Sequence, residues 1–589
     1  MKRIIYILAA VAIVAAALFS RSTTLLYKKL ECSIAMRDSV HLHTAIYKPR
    51  FGKNHPILVM RTPYSCAPYG EEKMEYLNQN YLYRNYLRRG YILVFQDVRG
   101  RFMSEGEFEN VRPALGSTNE ATDAYDTVEW LVNNIEGNNG HVGFYGCSYP
   151  GFYAMMAGVD AHPAVKAISP QAPVTDWFMG DDVHHNGVMM LADSFNLMPM
   201  FGHTNHTPTT EWLPTLEHDN SPDQYTFFLN ATRDSLRNVM RPSGFWDAMA
   251  EHPDYDNWWQ QRDLRRYLYN MTPAVLVVGG AFDAEDCFGA WNTYRAIRTQ
   301  SPQTDCRIVI GPWAHGAWSH KEAEHLGSLN FGKYASAKFY ADNFEIPFFE
   351  YHLRNKGSLE SLPQSALFLS GSNRWTYNRT EFENKTFYLD GKSLASEKPA
   401  TDSAVNYTSD PKNPVPYDRP SKHRSRNYMV ADQSYSTDRS DVLTFTTDPL
   451  SEDISFVGDV VANLDVAITT TDADFAVRII DIYPENDAKP TNYQMLVRGD
   501  IMRARYRHSF SNPTPMQPNC RENITFTLPG IAHTFRAGHR IMVCVQSSWY
   551  PVAERSPQQF VDLWHCTANE FIPTEVTLFN SSTITFNAL

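Results

Sequence analysis

Ser148 is the residue best placed to do chemistry. It sits in His141-Val-Gly-Phe-Tyr-Gly146-Cys147-Ser148-Tyr149-Pro150-Gly151-Phe152, where an apolar run meets Gly-x-Ser-x-x-Gly. A strand that turns sharply into a helix around a serine is the setting of a nucleophile elbow. The hydroxyl would then stand at a sheet edge, beside helix N–H groups that point at a developing oxyanion. The second glycine comes one place late, because Pro150 holds the fifth position. Proline is tolerated in a first helical turn. A glycine-rich turn with an incidental serine is the plain alternative.

Acyl transfer on a serine needs an acid and a histidine further along the chain, in the order Ser, Asp, His for this type of fold. Two strand ends offer them. Val275-Leu-Val-Val-Gly279-Gly280-Ala281-Phe282-Asp283 closes one apolar run with a carboxylate, and Ile308-Val-Ile-Gly311-Pro312-Trp313-Ala314-His315-Gly316 closes the next with a histidine. His315 would take the Ser148 proton, and Asp283 would hold the imidazole tautomer. The chain has 20 histidines, so order and strand-end position, not residue type, single out His315.

These residues need a sheet to hold them. Short apolar runs at Ile57–Met60, Tyr91–Gln96, Val142–Tyr145, Ala274–Val278 and Arg307–Ile310 suit strands buried on both faces. Helical stretches lie between them, such as Ala121–Asn134 and Phe152–Val159, and alternation of this kind predicts a mostly parallel α/β sheet. Residues 25–175 and 266–380 read as two parts of that core. Residues 176–265 are rich in Met, His, Trp and Asn and read as an inserted helical cap. From 381 to 589 alternating runs at Thr386–Leu389, Val442–Thr446, Val460–Ile468, Phe475–Ile482, Ile524–Leu528, Ile541–Gln546 and Val576–Phe579 predict a β-sandwich of jelly-roll type. The polar stretch from about 400 to 440 reads as a long surface loop.

Composition bounds the rest. A chain of 589 residues exceeds one hydrophobic core, since cores stop growing near ~250–300 residues. A net charge of −12 argues against nucleic acid as partner. Lys2 and Arg3 before the apolar stretch Ile4–Phe19 predict a secretory signal over residues 1–24, with an uncleaved anchor as the alternative. Export to the periplasm or the cell exterior is therefore expected, with membrane contact only if the leader stays attached. The eight cysteines form no CxxC pair, His184-His185 is not a ligand spacing, and neither GxGxxG nor a P-loop occurs, so no metal or cofactor is expected.

Taken together, the segments resemble the cocaine-esterase and X-prolyl dipeptidyl-peptidase superfamily of α/β-hydrolases. Met36-Arg37-Asp38-Ser39-Val40-His41-Leu42 resembles its opening strands, with Ser39 where a glycine is usual. Arg61-Thr62-Pro63-Tyr64, Asp97-Val-Arg-Gly-Arg-Phe-Met-Ser104-Glu-Gly106, the Ser148 elbow, Gly311-Pro312-Trp313-x-His315-Gly316 and Phe535-Arg-Ala-Gly538-His539-Arg540-Ile541 follow in family order. The resemblance implies a hydrolase core, a helical cap and a C-terminal jelly roll. It implies Ser148, Asp283 and His315 as triad, and the Tyr64 hydroxyl with the Tyr149 backbone N–H as oxyanion hole. Asp97, Arg99 and Arg101 read as a structural ion network.

Within the superfamily, the resemblance is greatest to the α-amino-acid ester hydrolase branch, which is similar to glutaryl-7-aminocephalosporanic-acid acylases. That branch carries a carboxylate cluster, and Asp182, Glu285 and Asp286 match its three positions. Taken alone, the acids Asp181-Asp182 and Glu285-Asp286 read as solvated helix starts. As a cluster they would bind a substrate ammonium, because crowded carboxylates repel one another and one tends to hold a proton. The implied substrates are small α-amino-acid esters, amides or short peptides, cleaved or transferred through an aminoacyl-enzyme. The branch also implies self-association. An X-prolyl dipeptidyl-peptidase, a general carboxylesterase and, more remotely, a non-catalytic carbohydrate-binding protein are the alternatives.

Overall fold

The computed structural model describes residues 26–587 except 75–80, 203, 213–220, 232, 241–243, 380–383 and 486–491. The expected leader lies outside the described residues. Among those described, no helix is long and apolar enough to cross a membrane.

Ten strands form the first sheet: β1 (Tyr27–Ala35), β2 (His41–Pro49), β3 (His55–Thr62), β4 (Ile92–Asp97), β5 (Asn138–Ser148), β6 (Val165–Pro173), β7 (Ala274–Gly280), β8 (Cys306–Gly311), β9 (Ser365–Leu369) and β10 (Arg374–Tyr377). Their order is β1-β2-β4-β3-β5-β6-β7-β8-β9-β10. The strands from β4 through β9 pair in parallel, and β1, β2 and β10 pair antiparallel at the edges. Every residue of β4, β7 and β8 is buried, which is why these segments are continuous apolar runs rather than alternating ones. The β1–β2 turn carries Ser39 at φ 70°, a left-handed conformation that glycine adopts without strain. That is the physical content of the glycine usual at this place.

β6 lies between β5 and β7 and has no counterpart among the strands expected from sequence. Pro170 and Pro173 fall within it, and proline inside an apolar run argues against a strand on sequence grounds. Its presence puts the C-terminal ends of β5, β6, β7 and β8 side by side. Backbone bonds then tie the last two ends together: Ala281 N–H donates to Gly311 O (2.7 Å) and Phe282 N–H to Trp313 O (3.1 Å).

Residues 176–265 hold a two-residue-strand hairpin at 184–189 and the helices Leu191–Phe201, Gln224–Leu229, Arg233–Met240, Gly244–Glu251 and Asn257–Gln260. The C-terminal region is an 11-stranded sheet system. Its 15-residue strand Ile454–Ile468 pairs with three others and alternates buried and half-buried residues from Val460 onward. The strand Gln494–Arg503, nearly all buried, was not legible as a run because it buries Arg498, Asp500 and Arg503. The stretch near 400–440 is not a surface loop throughout. It contains the strand Ala404–Ser409, and Tyr417, Tyr428, Met429 and Val430 are buried. All eight cysteines are unpaired.

Candidate active site

Ser148 ends β5 and caps the helix Tyr149–Met156 with φ 68°, ψ −130°. A non-glycine residue held there stores strain and marks a functional turn. Tight contacts enforce the flanking glycines. A Cβ on Gly146 would lie 2.3 Å from Pro150 O, and one on Gly151 would lie 2.7 Å from Gln171 O in β6. The glycine is therefore one place late because the helix packs on β6 at position 151. Tyr149 is the first helical residue, so its N–H belongs to the turn that lacks intrahelical partners. Its phenol donates to Asn110 Oδ1 (2.8 Å) and accepts from Val111 N–H (2.8 Å), which anchors the turn from below.

Asp283 and His315 emerge from the ends of β7 and β8. His315 Nδ1 lies 2.9 Å from Asp283 Oδ2, 3.3 Å from Glu285 Oε2 and 3.8 Å from Asp286 Oδ2. Asp283 Oδ1 also accepts the N–H groups of Glu285 (2.9 Å) and Asp286 (3.0 Å), which fixes the turn. Burial alone would lower the His315 pKa, but the Asp283 and Glu285 carboxylates outweigh it and raise the value to about 9.

Tyr64 follows β3 and lines the same cavity as Ser148; burial pushes the phenol pKa up, so it stays a donor. The loop that carries it is pinned by Asp97, whose carboxylate accepts from Cys66 N–H (2.7 Å) and the Tyr69 hydroxyl (2.9 Å). Arg101 donates to Pro63 O at 3.2 Å. Arg99 pairs instead with Asp38 (2.8 Å) and Asp123 (2.7 Å). The expected ion network is thus two devices: Arg99 ties β-strand turns to a helix, and Asp97 with Arg101 positions Tyr64.

A cavity of about 320 Å³ opens over Ser148. Trp177, Leu197 and Phe201 form an apolar wall, and Asp182, Glu285, His315 and Arg426 a charged one. The three acids expected to cluster do come together, but unequally. Asp182 N–H donates to Glu285 O (3.1 Å), and the Trp177 indole donates to Asp182 Oδ2 (2.9 Å). Asp286 is fully buried and does not line the cavity. Burial and the surrounding carboxylates drive its pKa well above the usual range, so it holds a proton facing Asp182. Asp181 is also buried, and it accepts the N–H groups of Thr175, Asp176 and Gly289. The reading of Asp181-Asp182 as a solvated helix start therefore fails, because the cap and the helix Cys287–Gln300 cover both.

Glu285 carries two cations that sequence reasoning missed. Arg424 Nη2 lies 2.5 Å from Glu285 Oε1 and also pairs with Asp193; Arg426 Nε lies 3.3 Å from the same oxygen. His315 and the two arginines outweigh burial and hold the Glu285 pKa down to about 2. Arg498 reaches the same loop, donating to Ala281 O. All three arginines come from beyond residue 381. Asp283, Glu285 and His315 place ligand atoms within 4.8 Å of one another, but two guanidiniums beside Glu285 repel a metal cation.

A second Ser-His-Asp row exists. Ser370 Oγ lies 2.8 Å from His533 Nδ1, and His533 Nε2 lies 3.2 Å from Asp481 Oδ2. The three residues are 1%, 0% and 0% exposed, so no substrate reaches them. They tie the end of β9 to the strand Glu522–Phe535.

Residues 38–317 match the model of the X-Pro dipeptidyl-peptidase (S15) family, and residues 360–563 match the X-Pro dipeptidyl-peptidase C-terminal non-catalytic domain. The chain is 27% identical to cocaine esterase of Rhodococcus sp. (strain MB1 Bresler) over 557 residues, which is 89% of this chain and 91% of the esterase. Its fold superposes on an aminopeptidase from the marine sediment archaeon Thaumarchaeota archaeon with a TM-score of 0.89 at 32% identity, covering 96% of each chain. An α-amino acid ester hydrolase gives a TM-score of 0.88 at 32% identity, covering 95% of this chain and 96% of that one.

Proposed function

Because the chain belongs to the X-Pro dipeptidyl-peptidase (S15) family and is a serine hydrolase, we propose that it cleaves α-amino-acid esters, amides or short peptides through an aminoacyl-enzyme on Ser148. In this reading Ser148 Oγ bonds to the acyl carbon while its proton passes to His315. The acyl carbon's bond to the leaving oxygen or nitrogen then breaks, and His315 hands the proton to that atom. Water repeats the sequence, releasing the amino acid and restoring the serine. Tyr64 and the Tyr149 N–H would hold the oxyanion. Transfer to an acceptor other than water would follow the same intermediate.

The observation that carries the reading is Asp182. It is a carboxylate on the cavity wall, held by the Trp177 indole, with no ion pair among the described residues. Glu285 is already matched by two arginines, and Asp286 is protonated and out of reach. A substrate ammonium would therefore meet Asp182, while the side chain of the amino acid would lie on Trp177, Leu197 and Phe201. The two structural relatives, an aminopeptidase and an α-amino acid ester hydrolase, are named for activities that both fit such a site. A cavity of about 320 Å³ is near the small end of ligand sites, roughly 300–1,000 Å³, which favours small esters and short peptides.

Asp182→Asn tests this. Asp182 sits at φ 33°, and asparagine tolerates that region. For phenylalanine methyl ester, kcat/KM should fall about 10- to 100-fold, while the des-amino ester, methyl 3-phenylpropionate, should change little. An equal preference for the amino ester in both enzymes would remove Asp182 from recognition.

The pH profile tests the base. With the His315 pKa raised to about 9, kcat/KM should climb through neutral pH and level off only in the alkaline range, since the neutral imidazole is the reactive form. Glu285→Gln removes a charge that raises this pKa and leaves the Arg426 guanidinium, which lowers it. Its acid limb should therefore move to lower pH. A limb that stays in place would show that Glu285 does not set the base.

A further inference from the structure

We propose that Arg426 is a specificity residue that receives a carboxylate on the leaving group, so that the preferred amide substrates are dipeptides with a free C-terminus. The inference rests on the aminoacyl reading above and extends it to the other side of the scissile bond.

Arg424 and Arg426 differ in how they are held. The Arg424 side chain is 8% exposed and clamped between Asp193 and Glu285. The Arg426 side chain is 50% exposed and lines the cavity, and its three contacts are all long. Nε and Nη2 approach Glu285 at 3.3 Å, and Nη1 approaches the His315 carbonyl at 3.3 Å. A guanidinium has five N–H donors in a planar fork, so these bonds leave donors of Arg426 uncommitted. Charge leads to the same place. Arg424 has Asp193 as a second partner, whereas the only carboxylate that Arg426 meets among the described residues is Glu285, and it is the more weakly held Arg426 that faces the cavity.

The side of the site follows from the chemistry of departure. His315 must deliver its proton to the leaving atom, so the leaving group departs on the His315 side. Arg426 bonds to the carbonyl of His315 itself and borders the cavity with Gly316, Ser319 and His320. In the aminoacyl reading, Asp182 and the apolar wall of Trp177, Leu197 and Phe201 take the acyl residue. A free dipeptide carries its ammonium on the acyl residue and its carboxylate on the leaving residue, one for Asp182 and one for Arg426. Arginine suits planar, bidentate recognition of a carboxylate.

The test is competition against hydrolysis of phenylalanine methyl ester, which reads binding whether or not a peptide bond is cut. Phe-Gly and its C-terminal amide are compared on wild type, Arg426→Ala and Arg426→Lys. Each ratio is taken within one enzyme, so any change in the base cancels. In wild type the free dipeptide should compete about tenfold better than the amide. Arg426→Ala should bring the ratio to about one, and Arg426→Lys should keep an intermediate value. A wild-type ratio near one, or an unchanged ratio in Arg426→Ala, would overturn the assignment. The aminoacyl reading fails separately, through equal rates on the amino and des-amino methyl esters, neither of which has a carboxylate.

Discussion

Ser148→Ala should abolish turnover, with kcat down on the order of 10⁴- to 10⁶-fold, the range seen when a serine nucleophile is removed. The fold should tolerate the change. The Ser148 side chain makes no capping bond to the helix it precedes, so its loss leaves the first turn as it was. Alanine does meet the left-handed φ of 68°, as serine does, so the strain at the turn is common to both. The wild type should be labelled once by a fluorophosphonate, and the variant should not be labelled at all. A mass spectrum after incubation with a pool of amino-acid esters should show an aminoacyl adduct on the peptide that contains Ser148. Labelling that survives in Ser148→Ala would place the nucleophile elsewhere; the buried Ser370 would then need an opening motion to be reached.

Tyr64→Phe should lower kcat roughly 10²- to 10³-fold, the usual cost of losing one oxyanion donor. The ring packs on Phe201 with centroids 5.6 Å apart, and phenylalanine keeps that contact. KM should therefore change much less than kcat, because the hydroxyl matters where negative charge develops rather than in the bound ester. Burial keeps the phenol protonated, so the defect should be the same across the working pH range. Fluorophosphonate labelling should slow but persist, which separates this variant from Ser148→Ala. A kcat within a few-fold of wild type would leave the Tyr149 N–H, with help from the helix N-terminus, as the main oxyanion donor.

These two residues also show how much of the site could be read before the chain was folded. Ser148 is legible because its requirements are local: an apolar strand, a tight turn and a helix start, all within twelve residues. Asp283 and His315 are legible because each ends a buried strand, where side chains of an open α/β sheet emerge. Tyr64 was reached only through family resemblance, since nothing in Arg61-Thr62-Pro63-Tyr64 says that Asp97 and Arg101 will hold that loop against Ser148. Asp97, grouped in sequence with Arg99 and Arg101, parts from Arg99 in space because the strand ends at Asp97 and the chain then turns, with Arg101 N–H donating to Val98 O and Gly100 at φ 68°.

The local pattern of the chain thus specified a parallel α/β core, an elbow, and an acid and a base at its strand ends. Periodicity and turn residues act over a few residues and need no knowledge of neighbours. Three things depended on the assembled molecule. β6 is a strand despite Pro170 and Pro173 because β5 and β7 flank it on both sides. Asp182, Glu285 and Asp286 are all acids in the sequence, but packing leaves one on the wall without a cation, gives one two arginines and leaves one protonated in the interior. Arg424 and Arg426 lie in a polar stretch about 140 residues beyond the glutamate they meet, and their local texture is that of a loop. Burial and charge pairing are properties of which surfaces come together, and they set the partners and protonation of groups whose identities were plain from the start.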